Sequence, residues 1–399
     1  MTQKYLLKNG LVFDFEKGRF TRRDLLIGEG MAGQIAGRKP GREAVLCKTE
    51  IDITDRYVVP GMFDFHTHVG HGGVLPYDPE HYCPASGVTG VLDGGSYGTD
   101  QIGRFAEECV RGSRLEIHAL LHIAREGQSD PSRLEDQRPE CINADLLKDT
   151  WEKYPDLIRG FKIRLEQPMI SDKYAAETVF RTGSLAEKLG GSCFLMLHLG
   201  QVTQAEKLQE ILSLLRPGDV VTHIYQPKVA GFTEKGTPAY DALRKAQERG
   251  VLLDTGFGSR QWTFETLRNA ERAGIVPDTI SSDCNATNII LEPGVSMLYA
   301  AMVLNAAGMS WKDFFSRACV NNRNCLNLQN KGSLAGGRDR VSDRKDPYAA
   351  GDIMVFRFEE TGFSLTDMTG ETSRVSERID PVMTFCKGHL VYDSNTYPD

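Results

Sequence analysis

His66 and His68, with Thr67 between them, stand at the end of the apolar stretch Tyr57-Val-Val-Pro-Gly-Met-Phe-Asp-Phe65. Pro60-Gly61 interrupts that run, so Met62 to Phe65 read as a short strand that delivers two imidazoles at its end. Side chains two apart on a strand point to the same side, so both rings can aim at one ion. Neutral imidazole is the commonest nitrogen ligand for zinc and related metals. Taken alone, the pair also fits two polar residues on an exposed strand face.

Four more residues have the types that would complete such a site: Lys162, His198, His223 and Asp283. Two divalent ions held about 3.5–4 Å apart need a bridging anion and neutral or anionic ligands around it. A lysine ammonium would repel them, but a desolvated lysine near cations has a lowered pKa. Its neutral amine can add CO2 to become a carbamate, an anionic bidentate bridge. His66 and His68 would then hold one ion together with Asp283, and His198 and His223 the other. A hydroxide bridging the ions is a strong nucleophile near neutral pH, and Asp283 is placed to take its proton and hand it to a leaving nitrogen. Taken singly, each has a plainer reading: Lys162 as an exposed charge, His198 and His223 as core histidines bonded to backbone, Asp283 as a helix cap.

The elements around these residues argue for the joint reading. After the strand before His66, short apolar runs recur at Val88 to Leu92, Glu116 to Ile123, Ile158 to Leu165, Cys193 to Leu199, Val220 to Ile224, Val251 to Thr255 and Thr279 to Ser282. Helix-like stretches separate them, among them Thr99 to Gly112, Ala175 to Leu189, Gln204 to Leu215, Tyr240 to Glu248 and Phe264 to Ala273, with Val295 to Ala307 and Trp311 to Ala318 closing the series. Eight alternations of strand and helix predict an α/β chain folded as a (β/α)8 TIM barrel, whose chemistry sits at the carboxyl ends of the strands. Lys162 lies within one run and the other five candidates at or just beyond run ends, so a barrel brings all six around one axis. Ser96, His122 and Arg164 stand near strand ends as candidate substrate contacts, Arg164 for a substrate carboxylate or an internal acid. His71 and His81 read as loop residues, and His118 and His389 as structural.

The flanking segments read differently. Residues 1–59 hold short strands and no segment of helical period, and strand-like runs return at Gly351 to Phe358, Val382 to Phe385 and His389 to Tyr392. We expect a small β-sandwich domain built from both chain ends, residues 1–59 with 335–399, and a barrel over 60–334. A charged, glycine-containing stretch over 331–350 reads as a solvated linker.

The 399-residue chain is 40% hydrophobic and 25% charged with a formal net charge of −7, a balance that offers no basic footprint for nucleic acid or anionic membrane. The expected partner is a small molecule. No signal-peptide pattern and no apolar run approaching 18 residues is present, so a cytoplasmic location is expected. Nine cysteines without a Cys-x-x-Cys pair look like buried small hydrophobes rather than a disulfide framework.

With those residues assembled, the chain resembles the amidohydrolase superfamily, through Leu6-Leu7-x-Asn9-Gly10, Pro60-Gly61-x-x-Asp64-x-His66-x-His68 and Gly351-Asp352-Ile-Met-Val-Phe356. Phe161-Lys162-Ile163-Arg164-Leu165 and Thr384-Phe385-x-Lys387-Gly388 resemble its dihydroorotase-like amidohydrolase/deacetylase group. The resemblance implies two divalent ions, commonly zinc, a carboxylated Lys162, and removal of acetyl groups from N-acetylated or O-acetylated small acids. It also makes a homo-oligomer plausible. A cyclic-amide hydrolase of hydantoinase or dihydroorotase type is the alternative, although Gly70 replaces the arginine that dihydroorotases usually carry there. Lys162 sets the chain apart from adenine-deaminase relatives, which generally lack it. A catalytically silent scaffold would usually have lost ligands, and all six positions are filled here.

Overall fold

The computed structural model describes residues 4–28, 31–35, 49–128, 135–166, 169–190, 193–200, 205–229, 231–328, 348 and 351–395. Five strands open the described chain: β1 (Tyr5–Asp14), β2 (Arg19–Gly28), β3 (Met31–Ile35), β4 (Thr49–Asp52) and β5 (Tyr57–Pro60). Gly61 separates β5 from β6 (Met62–Thr67), which begins a second, parallel sheet. There follow β7 (Val88–Asp93), β8 (Glu116–His122), β9 (Ile158–Leu165), β10 (Phe194–Leu199), β11 (Val220–Thr222) and β12 (Leu252–Leu253), hydrogen-bonded in sequence order from β6 to β12. Every residue of β6, β7, β10 and β11 is buried, as befits parallel strands covered on both faces.

The eighth expected strand, at Thr279 to Ser282, is not a regular ladder. Its amides go to side chains instead: Ile280 N to Asn322 Oδ1 at 3.0 Å, Ser281 N to Thr255 Oγ1 at 2.8 Å and Ser282 N to Asp64 Oδ1 at 3.0 Å. Side-chain acceptors thus compete with the sheet for these donors. Isolated parallel bridges Asp254↔Thr279 and Thr67↔Cys284 still connect this segment to β12 on one side and to the end of β6 on the other. The curled sheet of seven strands is in this way joined from last to first, giving the barrel architecture.

Helices cover the outside of this sheet. The helix Asp172–Leu189 buries Ala175, Val179, Leu185 and Ala186, a spacing that presents one apolar face to the barrel wall. Thr263 and Thr266 form a capping box at the start of Phe264–Ala273, and Gly274 ends that helix in the left-handed conformation. The expected helix Thr99 to Gly112 is α-helical only over Ile102–Phe105 and continues as a π-helix, Ala106–Val110. Three helices were not foreseen: Pro79–Ala85, which holds the expected loop residue His81 and is entered through Asp78 and Pro79; Asn322–Leu328; and Ala144–Lys153, of whose ten residues only Leu147 and Thr150 are buried, so that the apolar period is faint. No helix among the described residues is long and apolar enough to cross a membrane.

After the barrel come β13 (Ile353–Glu360), β14 (Ser364–Thr366), β15 (Thr372–Arg374), β16 (Glu377–Cys386) and β17 (His389–Asp393). β13 pairs antiparallel with β5, Ile353 opposite Pro60, so both chain ends enter one eight-stranded sheet of order β17-β16-β13-β5-β1-β2-β3, with β4 on β1. Tyr5, Leu7, Val12, Leu25, Ile27, Val58, Ile353, Val355 and Phe385 form a core of its own in that sheet. Of the stretch read as a linker, residues 331–347, 349 and 350 lie outside the described residues, and so does the expected boundary between 334 and 335.

Candidate metal centre

His66 is the last residue but one of β6 and His68 follows the strand; Lys162 lies within β9, His198 within β10, His223 directly after β11, and Asp283 after the irregular eighth segment. The barrel brings all six together. His66, His68 and Asp283 offer ligand atoms that lie within 4.8 Å of one another. Asp283 Oδ1 is 3.3 Å from His68 Nε2 and 3.7 Å from His66 Nε2. Lys162 Nζ sits 2.7 Å from His66 Nε2, and His223 Nε2 is 3.0 Å from His198 Nδ1. The rings of His66 and His223, 5.2 Å between centroids, join the two groups.

Hydrogen bonds behind the rings decide which nitrogen faces inward. Thr222 Oγ1 donates its proton to Asp254 Oδ2 at 2.7 Å, so it can only accept from His66 Nδ1, 3.0 Å away. Ser96 Oγ likewise donates to Asp93 Oδ2 at 2.7 Å and accepts from His68 Nδ1 at 2.8 Å. The carbonyl of Gly256 accepts from His223 Nδ1 at 2.5 Å. All three histidines are thereby held with a bare Nε2 directed into the cluster, the tautomer that a metal ligand requires. His198 presents its Nδ1 to the same space.

Electrostatics point the same way. Burial, then the Lys162 charge and the neighbouring imidazoles, hold His66 well below its ordinary pKa. Burial also lowers His223 to about 4, and burial with His223 alongside lowers His198. These three rings are neutral at neutral pH. Lys162 is fully buried, and burial brings its pKa down to about 8 although Asp283, Asp254 and Asp93 oppose the shift. Burial alone would raise Asp283, but its neighbours His68, His223 and Lys162 bring it below the usual carboxylate value. Asp254, pushed by burial up to about 6, keeps its charge at neutral pH with three hydroxyls, those of Ser281, Thr222 and Thr279, donating to it.

The backbone is strained where it places two of these groups. Among the described residues, five non-glycine residues have positive φ, and His223 at 65° and Asp283 at 50° are two of them. Such conformations cost of order 1–3 kcal/mol each and persist only where the surroundings impose them. Asp283 is so imposed, its amide donating to His66 O at 2.7 Å. Gly95 is needed for close approach, since a Cβ there would stand 2.5 Å from Lys162 Cβ.

The three candidate substrate contacts each have partners within the fold. Ser96 lies behind His68, its hydroxyl committed to His68 and Asp93. His122 accepts from Ala124 N at 3.0 Å and turns Nε2 toward Glu135 Oε2, 3.3 Å away. Arg164 is spanned between Glu135 Oε1 at 2.6 Å and Glu166 Oε2 at 2.8 Å, the internal acids of its two expected roles. Sequence reasoning passed over Asp93, Thr222, Asp254 and Glu166. Leu92-Asp93-Gly94 and Leu253-Asp254-Thr255-Gly256 share the pattern of an apolar run ending in aspartate, a signal that could have found two of them.

The donor set fits a pair of divalent ions: neutral imidazoles, one carboxylate and one desolvated amine whose pKa burial has lowered. No family model matches the sequence. Over 340 residues the chain is 27% identical to a deacetylase of Enterococcus faecalis, spanning 85% of this chain and 87% of that protein. Its fold is similar to that of a dihydroorotase, with a TM-score of 0.80, 23% identity and 98% of both chains covered. It is similar too to an adenine deaminase, with a TM-score of 0.79, 24% identity, and 98% of this chain and 100% of the other covered. In its barrel and in the histidine, lysine and aspartate side chains gathered at one end of it, the chain is similar to proteins of the amidohydrolase superfamily.

Proposed function

We propose that this protein is a metal-dependent hydrolase, a deacetylase that cleaves the amide or ester bond of N-acetyl or O-acetyl derivatives of small carboxylated metabolites. In this reading His66, His68 and Asp283 would hold one ion and His198 and His223 the other, both zinc, and Lys162 would supply an anionic ligand as its carbamate. The observation that carries it is the inward convergence of three Nε2 lone pairs on a buried lysine and a low-pKa aspartate. The deacetylase reading of the substrate is supported by the likeness to the Enterococcus faecalis protein.

When bound, the ions would supply a water activated at neutral pH and polarise the scissile carbonyl. The chain's own residues do the rest. Asp283, its Oδ1 beside both His66 and His68, accepts the proton released as water adds to the carbonyl and delivers it to the leaving nitrogen or oxygen. Thr222 with Asp254, and Ser96 with Asp93, keep the two rings in the productive tautomer through the cycle.

The test is elemental analysis of protein purified without chelator, together with hydrolysis of a panel of N-acetyl and O-acetyl acids and of cyclic amides. About two ions per chain and acetate release support the proposal. Ring opening without acetate release transfers the chain to the cyclic-amide hydrolases, and protein that binds no divalent ion overturns the reading altogether.

A further inference from the structure

His198 differs from the other three histidines in having nothing behind it. Its Nε2 is buried and without a hydrogen-bond partner, while its Nδ1 faces His223. The carboxylate Oε2 of Glu166 stands 3.7 Å from that Nε2. The strand register brings this about: His198 on β10 pairs with Arg164 on β9, and Leu199 with Leu165, so the next residues, Gly200 and Glu166, lie side by side beyond the strands. Gly200 N donates to Leu165 O at 2.8 Å, and a Cβ at Gly200 would fall 2.4 Å from Glu166 Cβ, so only glycine leaves Glu166 room against this strand end.

Glu166 is held there from two other directions. Arg164 Nη2 donates to Oε2 at 2.8 Å and Lys228 Nζ to Oε1 at 2.8 Å. Arg164 is itself fixed, through Glu135 and through its backbone N and O, both bonded to the Gln137 amide at 2.8 Å. A carboxylate has about four lone-pair sites, so Oε2 retains an acceptor position on the His198 side.

Resting on the two-ion reading above, we propose that Glu166 is a positioning residue, which accepts the Nε2 proton of His198 and so commits Nδ1 of that ring to the ion it shares with His223. Arg164 and Lys228 serve this role by anchoring the carboxylate. What Thr222 and Ser96 do for His66 and His68 through neutral hydroxyls, Glu166 does for His198 through a charge.

The experiment compares E166Q, E166D and E166A with the wild type by metal stoichiometry, by chelator competition for each of the two ions, and by melting of the metal-free proteins. We expect E166Q and E166A to keep the ion at His66, His68 and Asp283 and to bind the other about 10- to 100-fold more weakly. E166D, which restores the charge, recovers part of that loss. Wild-type affinity for both ions in E166Q and E166A overturns the proposal, as does equal weakening of both ions alongside a lowered melting temperature, the mark of a merely structural residue. A wild type that binds no ion instead overturns the two-ion reading on which this one rests.

Discussion

Lys162 Nζ lies 2.7 Å from His66 Nε2, with both side chains all but sealed from water. The bare ring nitrogen accepts from the amine, and burial makes that amine easier to neutralise, as carbamate formation requires, than an ordinary lysine. Replacing Lys162 with alanine is therefore expected to take the protein from about two ions per chain to one or fewer, checked by elemental analysis of both proteins.

The same lysine sets a dependence on pH and on CO2. With its pKa at about 8, the share of neutral amine able to add CO2 grows as pH rises through that value. Recovery of activity by metal-stripped protein should be faster at pH 8.5 than at pH 6.5 and should accelerate with added bicarbonate. Equal rates at both pH values, with no effect of bicarbonate, would argue against the carbamate.

Thr222→Val tests the relay behind His66. The change preserves shape but removes the hydroxyl between His66 Nδ1 and Asp254 Oδ2, leaving a buried donor and a buried carboxylate short of a bond each. We expect a loss of about 1–3 kcal/mol in stability of the metal-free protein, read from denaturant unfolding. Metal affinity should fall by about 10- to 100-fold.

Ser96→Ala separates a residue behind a ligand from one that touches substrate. If Ser96 acts through His68, the variant binds metal more weakly, and KM at saturating metal stays near the wild-type value. A raised KM with metal affinity unchanged would return Ser96 to the substrate side.

Asp283→Asn removes the group proposed to move the proton. A fall in kcat of about 10² to 10⁴ is expected, with the acidic limb of the pH–rate profile lost. Steady-state kinetics across pH 5–9 on the metal-loaded variant provide the check.

Acid stability should depend on the opposite end of the barrel. Burial would raise the Glu116 pKa, but His118 and the Arg323 guanidinium, 2.9 Å away, bring it down to about 2. A carboxylate depressed in the folded state stabilises the protein above its unfolded pKa, and that contribution is lost as pH falls from about 4.5 toward 2. Arg323→Met, which also gives up bonds to Gly61 O and Thr89 Oγ1, both at 2.7 Å, should be less stable at neutral pH by about 3 kcal/mol. Its unfolding free energy should also fall less steeply over that acid range than the wild type's.

Read from residue types alone, the chain declared its strands and six candidate residues near their ends. His66, His68, His198, His223 and Asp283 each follow or close an apolar run, and Lys162 lies within one, a local pattern that needs no knowledge of the fold. Period and run length are properties of neighbouring residues, and strand ends of a barrel converge by its geometry. What lies behind each ligand was not legible in the same way. Thr222 is 156 residues from His66, Asp254 is 32 from Thr222, and Glu166 reaches His198 only because Gly200 leaves space in the adjoining strand. Arg164 shows the limit most plainly: its type and position suit a substrate carboxylate or an internal acid equally, and only the folded chain shows Glu135 and Glu166 packed on either side of it. The eighth strand was expected from its apolar run but lost its ladder to side-chain acceptors from Asn322, Thr255 and Asp64, partners that only the folded chain brings within reach. Sequence by itself determined which groups could bind metal and at which end of the barrel they would gather. Tertiary structure decided their tautomers, charges and partners, because those depend on burial and on hydrogen bonds between residues far apart along the chain.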